Sequence, residues 1–302
     1  MGIRAGGAPL RVGARVAVVA PSGIFEPERL EAGLEAIRGW GLVPVEGAKL
    51  RARHRFTAGT LSERIDDLQA ALADPTIEAI WFARGGYGTA QLLGAVDWAA
   101  LRGRPLIGFS DATAAFAALG AAGLPGGLHA PVLHSLVDLA DEASQRALRR
   151  LLMEGVAPSL PGHWLAGPTE AVRGPLVGGN LCVLASLAGT PWALRAAGAV
   201  LLFEDIGEPA YKIDRLLLQL RQSGALDGVL GVALGTFTRC APPADADYSM
   251  MDVIVDALDG LGVPIVGGLP VGHGAENWPC WMGAPVELSP TGLRPLGAAG
   301  GA

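Results

Sequence analysis

Short apolar runs alternate with amphipathic stretches through the first half of this chain, and few folds accommodate that alternation. Val16-Ala-Val-Val-Ala20 reads as a buried strand, Pro21-Ser-Gly23 as a turn, and residues 27–40 carry helical spacing. Thr60-Leu-Ser-Glu63 is a capping box that opens a helix reaching about Ala73. Ala79-Ile-Trp-Phe-Ala83 is a strand, Gly85-Gly-Tyr-Gly88 a tight loop, and 89–99 a helix. Residues 106–109 are a strand and 111–121 a helix. Strands separated by helices imply a parallel sheet with helices on its faces. Ligands of such sheets bind at the carboxyl ends of the strands. The Gly85 loop and Ser110 both fall there.

Residues 141–153 read as a further helix, and 155–169 are rich in Pro and Gly with little periodicity. The latter segment is expected to be a linker. It divides an N-terminal α/β domain over 1–154 from a C-terminal domain over 170–302. In the second half, 199–203 is a buried strand and 211–222 a helix with Ile213, Leu216, Leu217 and Leu220 on one face. Residues 229–237 and 265–268 are strands, with a helix over 249–261 between them. Short strands around Val286 close the domain.

A chain of 302 residues suits two domains, and its 50% hydrophobic content supplies a substantial core. Net charge is −6 with both signs interspersed, which argues against a nucleic-acid partner. Cys182, Cys240 and Cys280 are widely spaced with no CxxC pair, as in a reducing compartment. No apolar run reaches the ~18 residues of a membrane helix. Residues 1–14 carry no apolar core of signal-peptide type. The expectation is a cytoplasmic protein with no membrane insertion.

The chemistry centres on Arg104-Pro-Leu-Ile-Gly-Phe-Ser-Asp-Ala-Thr113. An apolar strand ends at Phe109, a serine follows, and an alanine-rich helix begins at once. The first amides of that helix lack partners within it and can stabilise a developing negative charge. The run approaches G-x-S-x-G, with Ala112 for the last glycine. Ser110 is therefore a candidate nucleophile, and a simple helix cap is the alternative.

A serine needs a base, and the base needs a carboxylate. Of the 5 histidines, His54 lies in a basic loop and His163 in the linker. His129 and His134 flank Ala-Pro-Val-Leu after the Ser110 helix, with no HExxH pattern for a metal. His273 sits between glycines in Leu269-Pro-Val-Gly-His-Gly274 and is the best general base. Glu204 and Asp205 follow four apolar strand residues, where a carboxylate must be paired. The alternative is that Asp205 and Glu208 serve the N-terminus of the helix over 211–222. The Gly85-Gly-Tyr-Gly88 loop is an oxyanion loop, a phosphate cradle or a plain turn. It lacks the GxGxxG spacing and the Walker lysine.

Six segments, taken in order, resemble the LD-carboxypeptidase family of serine peptidases, the murein tetrapeptide carboxypeptidase type. They are Val16-Ala-Val-Val-Ala-Pro-Ser-Gly23, Ala83-Arg-Gly-Gly-Tyr-Gly88, Ile107-Gly-Phe-Ser-Asp111, Gly178-Gly-Asn-Leu181, Phe203-Glu-Asp-Ile-Gly-Glu-Pro209 with Tyr211 and Asp214-Arg215, and Leu269-Pro-Val-Gly-His273. The likeness spans residues 16–288. It implies a triad of Ser110, Glu204 and His273, and a flavodoxin- or glutaminase-like N-terminal domain. A smaller β-rich α/β C-terminal domain follows, with the site between them and a homodimer as the usual assembly. Where relatives often show His-Gly-Pro, this chain has His129-Ala-Pro131.

The same resemblance implies release of terminal D-alanine from a muropeptide in peptidoglycan recycling, with no metal or cofactor. In the mechanism read from the residues themselves, backbone N–H groups of Asp111 and of Gly85 or Gly86 hold the oxyanion, Arg84 and Tyr87 are candidate substrate contacts, and Arg84, Arg215 or a helix N-terminus holds the terminal carboxylate. Two other functions remain open at this level. One is a serine amidase of the same fold that inactivates peptidyl-nucleotide antibiotics of microcin type. The other is a non-catalytic small-ligand binder.

Overall fold

The computed structural model describes residues 8–297. Residues 1–7 and 298–302, inside the domain limits given above, lie outside it. The first sheet holds parallel strands β1 (Arg15–Val19), β2 (Val43–Glu46), β3 (Ile77–Phe82), β4 (Leu106–Gly108) and β5 (Gly127–His129). Helices α1 (Pro27–Gly39), α2 (Leu61–Ala73), α3 (Thr113–Ala121), α4 (Leu133–Leu136) and α5 (Glu142–Glu154) accompany them. Helices cover both faces, so strand residues are buried on either side: Val16 to Val19 are at most 4% exposed. The strand order β5-β4-β3-β1-β2 reverses direction beside β1. The loops after β1 and β3 thus flank the crevice where such sheets bind ligands.

Local signals hold where chemistry at the helix end decides. The Thr60 side chain accepts the Glu63 N–H, and the Glu63 carboxylate accepts the Thr60 N–H, as a capping box requires. The helix expected over 89–99 does not form. Short 3-10 turns at Thr89–Gln91 and Trp98–Leu101 replace it. Asp97 explains the break: its N–H donates to Gln69 at 2.9 Å and its carboxylate accepts the Ala99 N–H at 3.1 Å. Side-chain bonds there outcompete the helical ladder.

The second half contributes β6 (Leu160–Pro161), β7 (His163–Ala166), β8 (Val172–Asn180), α6 (Leu181–Ser186), β9 (Val200–Ile206) and α7 (Ala210–Gln222). It continues with β10 (Gly231–Thr238), α8 (Met250–Leu258), β11 (Ile265–Gly267), β12 (Cys280–Trp281), β13 (Pro285–Ser289) and β14 (Gly292–Pro295). Its 8-stranded sheet runs β6-β14-β13-β8-β9-β10-β11-β7.

The linker assignment for 155–169 is corrected here, because that segment supplies β6 and β7, the two ends of the sheet. One residue, Gly162, separates them, and one residue spans only about 3.5 Å. The sheet therefore curls until its ends meet. Its Pro and Gly content is that of edge strands, which tolerate missing donors.

β12 leaves the second half and pairs antiparallel with β5, extending the first sheet to 6 strands. One apolar core also spans both halves, joining Phe82, Phe109 and Phe116 to Leu176, Leu202 and Val271. Each buried phenylalanine there contributes about 2–3 kcal/mol. α1 packs on α4 at a glycine: a Cβ at Gly33 would lie 2.3 Å from the Leu133 carbonyl oxygen. Gly33→Ala gains about 1 kcal/mol in helix propensity and loses more to this overlap. A net destabilisation of about 1–2 kcal/mol is expected from denaturant unfolding.

Candidate active site

Ser110 leaves the end of β4 with φ +61°, one of few non-glycine residues in the left-handed region. That conformation costs about 1–2 kcal/mol, and it turns the chain sharply from strand into a 3-10 turn over Ser110–Ala112 that runs into α3. Small neighbours permit the turn: a Cβ on Gly108 would lie 2.9 Å from the Ala112 Cβ. The Ser110 hydroxyl has no hydrogen-bond partner among the described residues. A strained, half-exposed and unpartnered serine is poorly explained as a helix cap.

The Gly85 loop lies directly against it. A Cβ on Gly85 would sit 2.9 Å from the Ser110 Cβ and 3.1 Å from its Oγ, so only glycine fits. The Gly85 carbonyl accepts the Gly23 N–H at 3.0 Å. The N–H groups of Gly85 and Gly86 find no acceptor among the described residues. Gly85→Ala should displace the serine hydroxyl and cut kcat about 10–100-fold while leaving the melting temperature near wild type. Single-turnover hydrolysis and a thermal melt together check this.

Asp111 anchors the same region through its side chain. It is 3% exposed, and its carboxylate accepts the Ser22 hydroxyl at 2.7 Å and the Thr89 N–H at 2.8 Å. Behind it, the buried Arg64 guanidinium donates to the Pro21 carbonyl at 2.7 Å and the Gly88 carbonyl at 3.0 Å. Burial lowers the Arg64 pKa, opposed by the charge of Asp111. Sequence reasoning did not find this brace of Ser22, Arg64, Thr89 and Asp111. Its visible signals were the Pro-Ser-Gly turn and the acid directly after Ser110.

The acidic pair on β9 divides by strand alternation. Glu204 is 0% exposed, and its Oε2 lies 2.6 Å from His273 Nδ1. Its Oε1 has no partner among the described residues. Asp205 instead accepts the Asn180 amide at 3.1 Å, the Cys182 N–H at 2.8 Å and the Ile206 N–H at 2.7 Å. Burial raises its pKa to about 6, opposed by those backbone donors. Asp205 thus serves the start of α6, not that of α7 as the alternative reading supposed.

Glycines admit the histidine loop. A Cβ on Gly272, at φ +124°, would meet Thr236 Oγ1 at 2.6 Å and the Glu204 Cβ at 2.9 Å. The loop is tied down by Gly272 N–H to Asn277 at 3.1 Å and Gly274 N–H to Thr236 at 3.2 Å. Asn277 N–H donates in turn to Ser144 on α5 at 2.9 Å, which locks the loop to the first half. The His273 ring packs on Phe109, centroids 4.7 Å apart, next to Ser110. Across the same seam, Thr113 accepts the Asn180 N–H at 3.0 Å. Glu204 and His273 are therefore paired at the junction between the halves, where the His273 ring lies against Phe109, the neighbour of Ser110. With Nδ1 engaged by Glu204, Nε2 is the His273 nitrogen left outside that contact.

The other titratable candidates separate from this centre. His129 is wholly buried, and burial holds it down at about 4, so it is neutral. His134 contacts the Glu26 carboxylate, and His54 is exposed. No cluster of His, Cys, Asp and Glu suited to a metal occurs among the described residues. Burial pushes the Cys280 thiol up to about 12 and Cys182 up to about 11, so neither is a ready thiolate nucleophile. Arg84 donates to the Ile24 carbonyl. Tyr87 is 52% exposed.

Comparison with known proteins identifies the family of the chain. Residues 16–130 match the LD-carboxypeptidase N-terminal domain, and residues 173–288 match the LD-carboxypeptidase C-terminal domain. The Streptomyces coelicolor protein SCO6489 is 41% identical, covering 93% of this chain and 92% of its own. The murein tetrapeptide carboxypeptidase of Pseudomonas aeruginosa is 38% identical, covering 90% of this chain and 93% of its own. This chain belongs to the LD-carboxypeptidase family. A solved structure, the muramoyltetrapeptide carboxypeptidase of Oxalobacter formigenes, superimposes with TM-score 0.80 at 28% identity over 93% of this chain and 97% of that one. As in the family-based expectation, this LD-carboxypeptidase family member pairs a parallel-sheet N-terminal domain with a β-rich C-terminal one. No helix among its described residues is long and apolar enough to cross a membrane.

Proposed function

We propose that this carboxypeptidase is a serine-type enzyme that cleaves an L,D-peptide bond and releases terminal D-alanine from murein tetrapeptides in peptidoglycan recycling. The observation that carries the reading is the 2.6 Å contact of buried Glu204 with His273, whose ring packs beside the strained Ser110 turn. His273 Nε2 takes the Ser110 proton as Oγ attacks the carbonyl of the penultimate residue. The tetrahedral oxyanion is held by the N–H groups of Asp111 and of Gly85 or Gly86, each worth about 3–4 kcal/mol. Glu204 holds the histidine tautomer and stabilises the imidazolium. The imidazolium then protonates the leaving amine, D-alanine departs, and water, deprotonated by the same imidazole, cleaves the acyl ester.

Arg84 and Tyr87 are assigned to substrate contact, beside the Gly85 loop. The enzyme acts as a homodimer in the cytoplasm, where its three unpaired cysteines stay reduced. Sedimentation at micromolar concentration checks the dimer. The decisive experiment incubates the protein with L-Ala-γ-D-Glu-meso-diaminopimelate-D-Ala and reads product masses. Loss of one alanine is expected. Intact peptide after prolonged incubation with folded enzyme rejects the reading.

A further inference from the structure

Unpaired polar atoms in the interior are not scattered. Five buried side-chain nitrogens and oxygens lack a hydrogen-bond partner among the described residues. Four of them belong to three residues near the seam between the halves: His129 Nδ1 and Nε2, Glu204 Oε1 and Trp278 Nε1. The Phe109 ring packs against both histidines, with centroid distances of 5.8 Å to His129 and 4.7 Å to His273. His129 is the Cα partner of Cys280 across β5 and β12. Trp278, two residues before Cys280, packs on the same apolar cluster as Cys280 and Phe109. Its backbone N–H donates to the Pro270 carbonyl at 2.7 Å, which holds it against the His273 loop. Burial lowers the His129 pKa to about 4, opposed by the charge of Glu204, so the two side chains are within electrostatic reach.

A polar atom buried this deeply costs free energy unless it is hydrogen-bonded. The three groups complement a single water molecule. An indole N–H only donates, a carboxylate oxygen only accepts, and a neutral imidazole nitrogen does one or the other according to its tautomer. A buried water typically makes about three hydrogen bonds to groups of this kind.

We infer that His129, Glu204 Oε1 and Trp278 Nε1 share one ordered water, through which His129 acts as a positioning residue for the Glu204–His273 pair. The inference rests on the carboxypeptidase reading above. Glu204 meets His273 through Oε2 alone. A carboxylate held at one oxygen can still swing about its last torsion, whose energy well is broad. A hydrogen bond at Oε1 fixes the carboxylate plane and supports the negative charge that the imidazolium needs in the transition state. His129 suits the task because it is neutral. It can hold the water without placing a second positive charge in competition for Glu204.

The test has two arms. A high-resolution crystal structure of the wild-type enzyme should show a water within about 3.2 Å of Glu204 Oε1, of Trp278 Nε1 and of one His129 ring nitrogen. The second arm measures D-alanine release from the tetrapeptide by His129→Leu and His129→Gln. Leucine is close to the imidazole in volume and cannot bond the water. It should lower kcat about 10–100-fold with KM unchanged, as loss of an interaction felt only in the transition state requires. Glutamine can reach the same water and should recover most of that loss. Thermal melts confirm that the variants are folded. A wild-type interior without the bridging water overturns the inference, whatever the variants do. Wild-type kcat in folded His129→Leu, or equal losses in both variants, overturns the positioning role. If the wild type releases no D-alanine, the peptidase reading falls by itself, and the crystal structure still decides the water.

Discussion

Ser110→Ala is expected to lower D-alanine release by about 10⁴–10⁶-fold with almost no change in melting temperature. The two halves of that expectation have separate causes. The hydroxyl makes no hydrogen bond among the described residues, so its removal breaks no fold contact. Alanine keeps the Cβ, and the left-handed strain at this position is the same with or without Oγ. Stability should therefore shift by no more than about 0.5 kcal/mol. Activity, by contrast, loses the atom proposed to form the acyl-enzyme. The oxyanion donors and substrate binding remain, so a weak background hydrolysis persists. Active-site titration with a fluorophosphonate gives an independent readout: wild type should label once per chain and the variant not at all. Retention of more than about a tenth of the activity by a folded variant would place the nucleophile elsewhere.

The Glu204→Gln variant should cost about 10³–10⁴-fold in kcat, again without unfolding. Glutamine matches the volume of this fully buried side chain, so no cavity opens. Its amide can present an N–H to His273 Nδ1, which favours the tautomer protonated at Nε2. That tautomer cannot accept the serine proton. Stability should hold or rise slightly, because a buried carboxylate with one oxygen unpartnered carries a desolvation cost that the neutral amide avoids. KM should change little, since Glu204 is 0% exposed and out of reach of substrate. An NMR resonance of the His273 ring proton moving from Nδ1 to Nε2 would verify the tautomer argument, and wild-type kcat in this variant would refute it.

The parts of the site legible in the sequence are those whose constraint is local. Ser110 follows an apolar strand and precedes a helix. Glu204 ends an apolar run, and His273 sits between glycines. Each pattern reports its own backbone. What stayed hidden depends on partners remote in the chain. The residues alone leave Glu204 and Asp205 open and the family resemblance names Glu204, because the pleat of β9 and the arrival of Asn180 and Cys182 decide which of the two faces the histidine. The brace around Asp111 needs Ser22 and Thr89 brought in from other loops. Residues 155–169 read as a linker because an edge strand such as β6 or β7 has no alternation of its own to display. Its order comes from β14 on one side and β11 on the other.

The antiparallel pairing of Cys280 with His129 also has a meaning in time. During synthesis the β5 edge emerges first and stays bare until the chain has grown by about 150 residues, roughly 10–30 s at ordinary elongation rates. A naked edge strand is a template for the wrong neighbour. The newborn polypeptide is thus most vulnerable to self-association just before β12 appears.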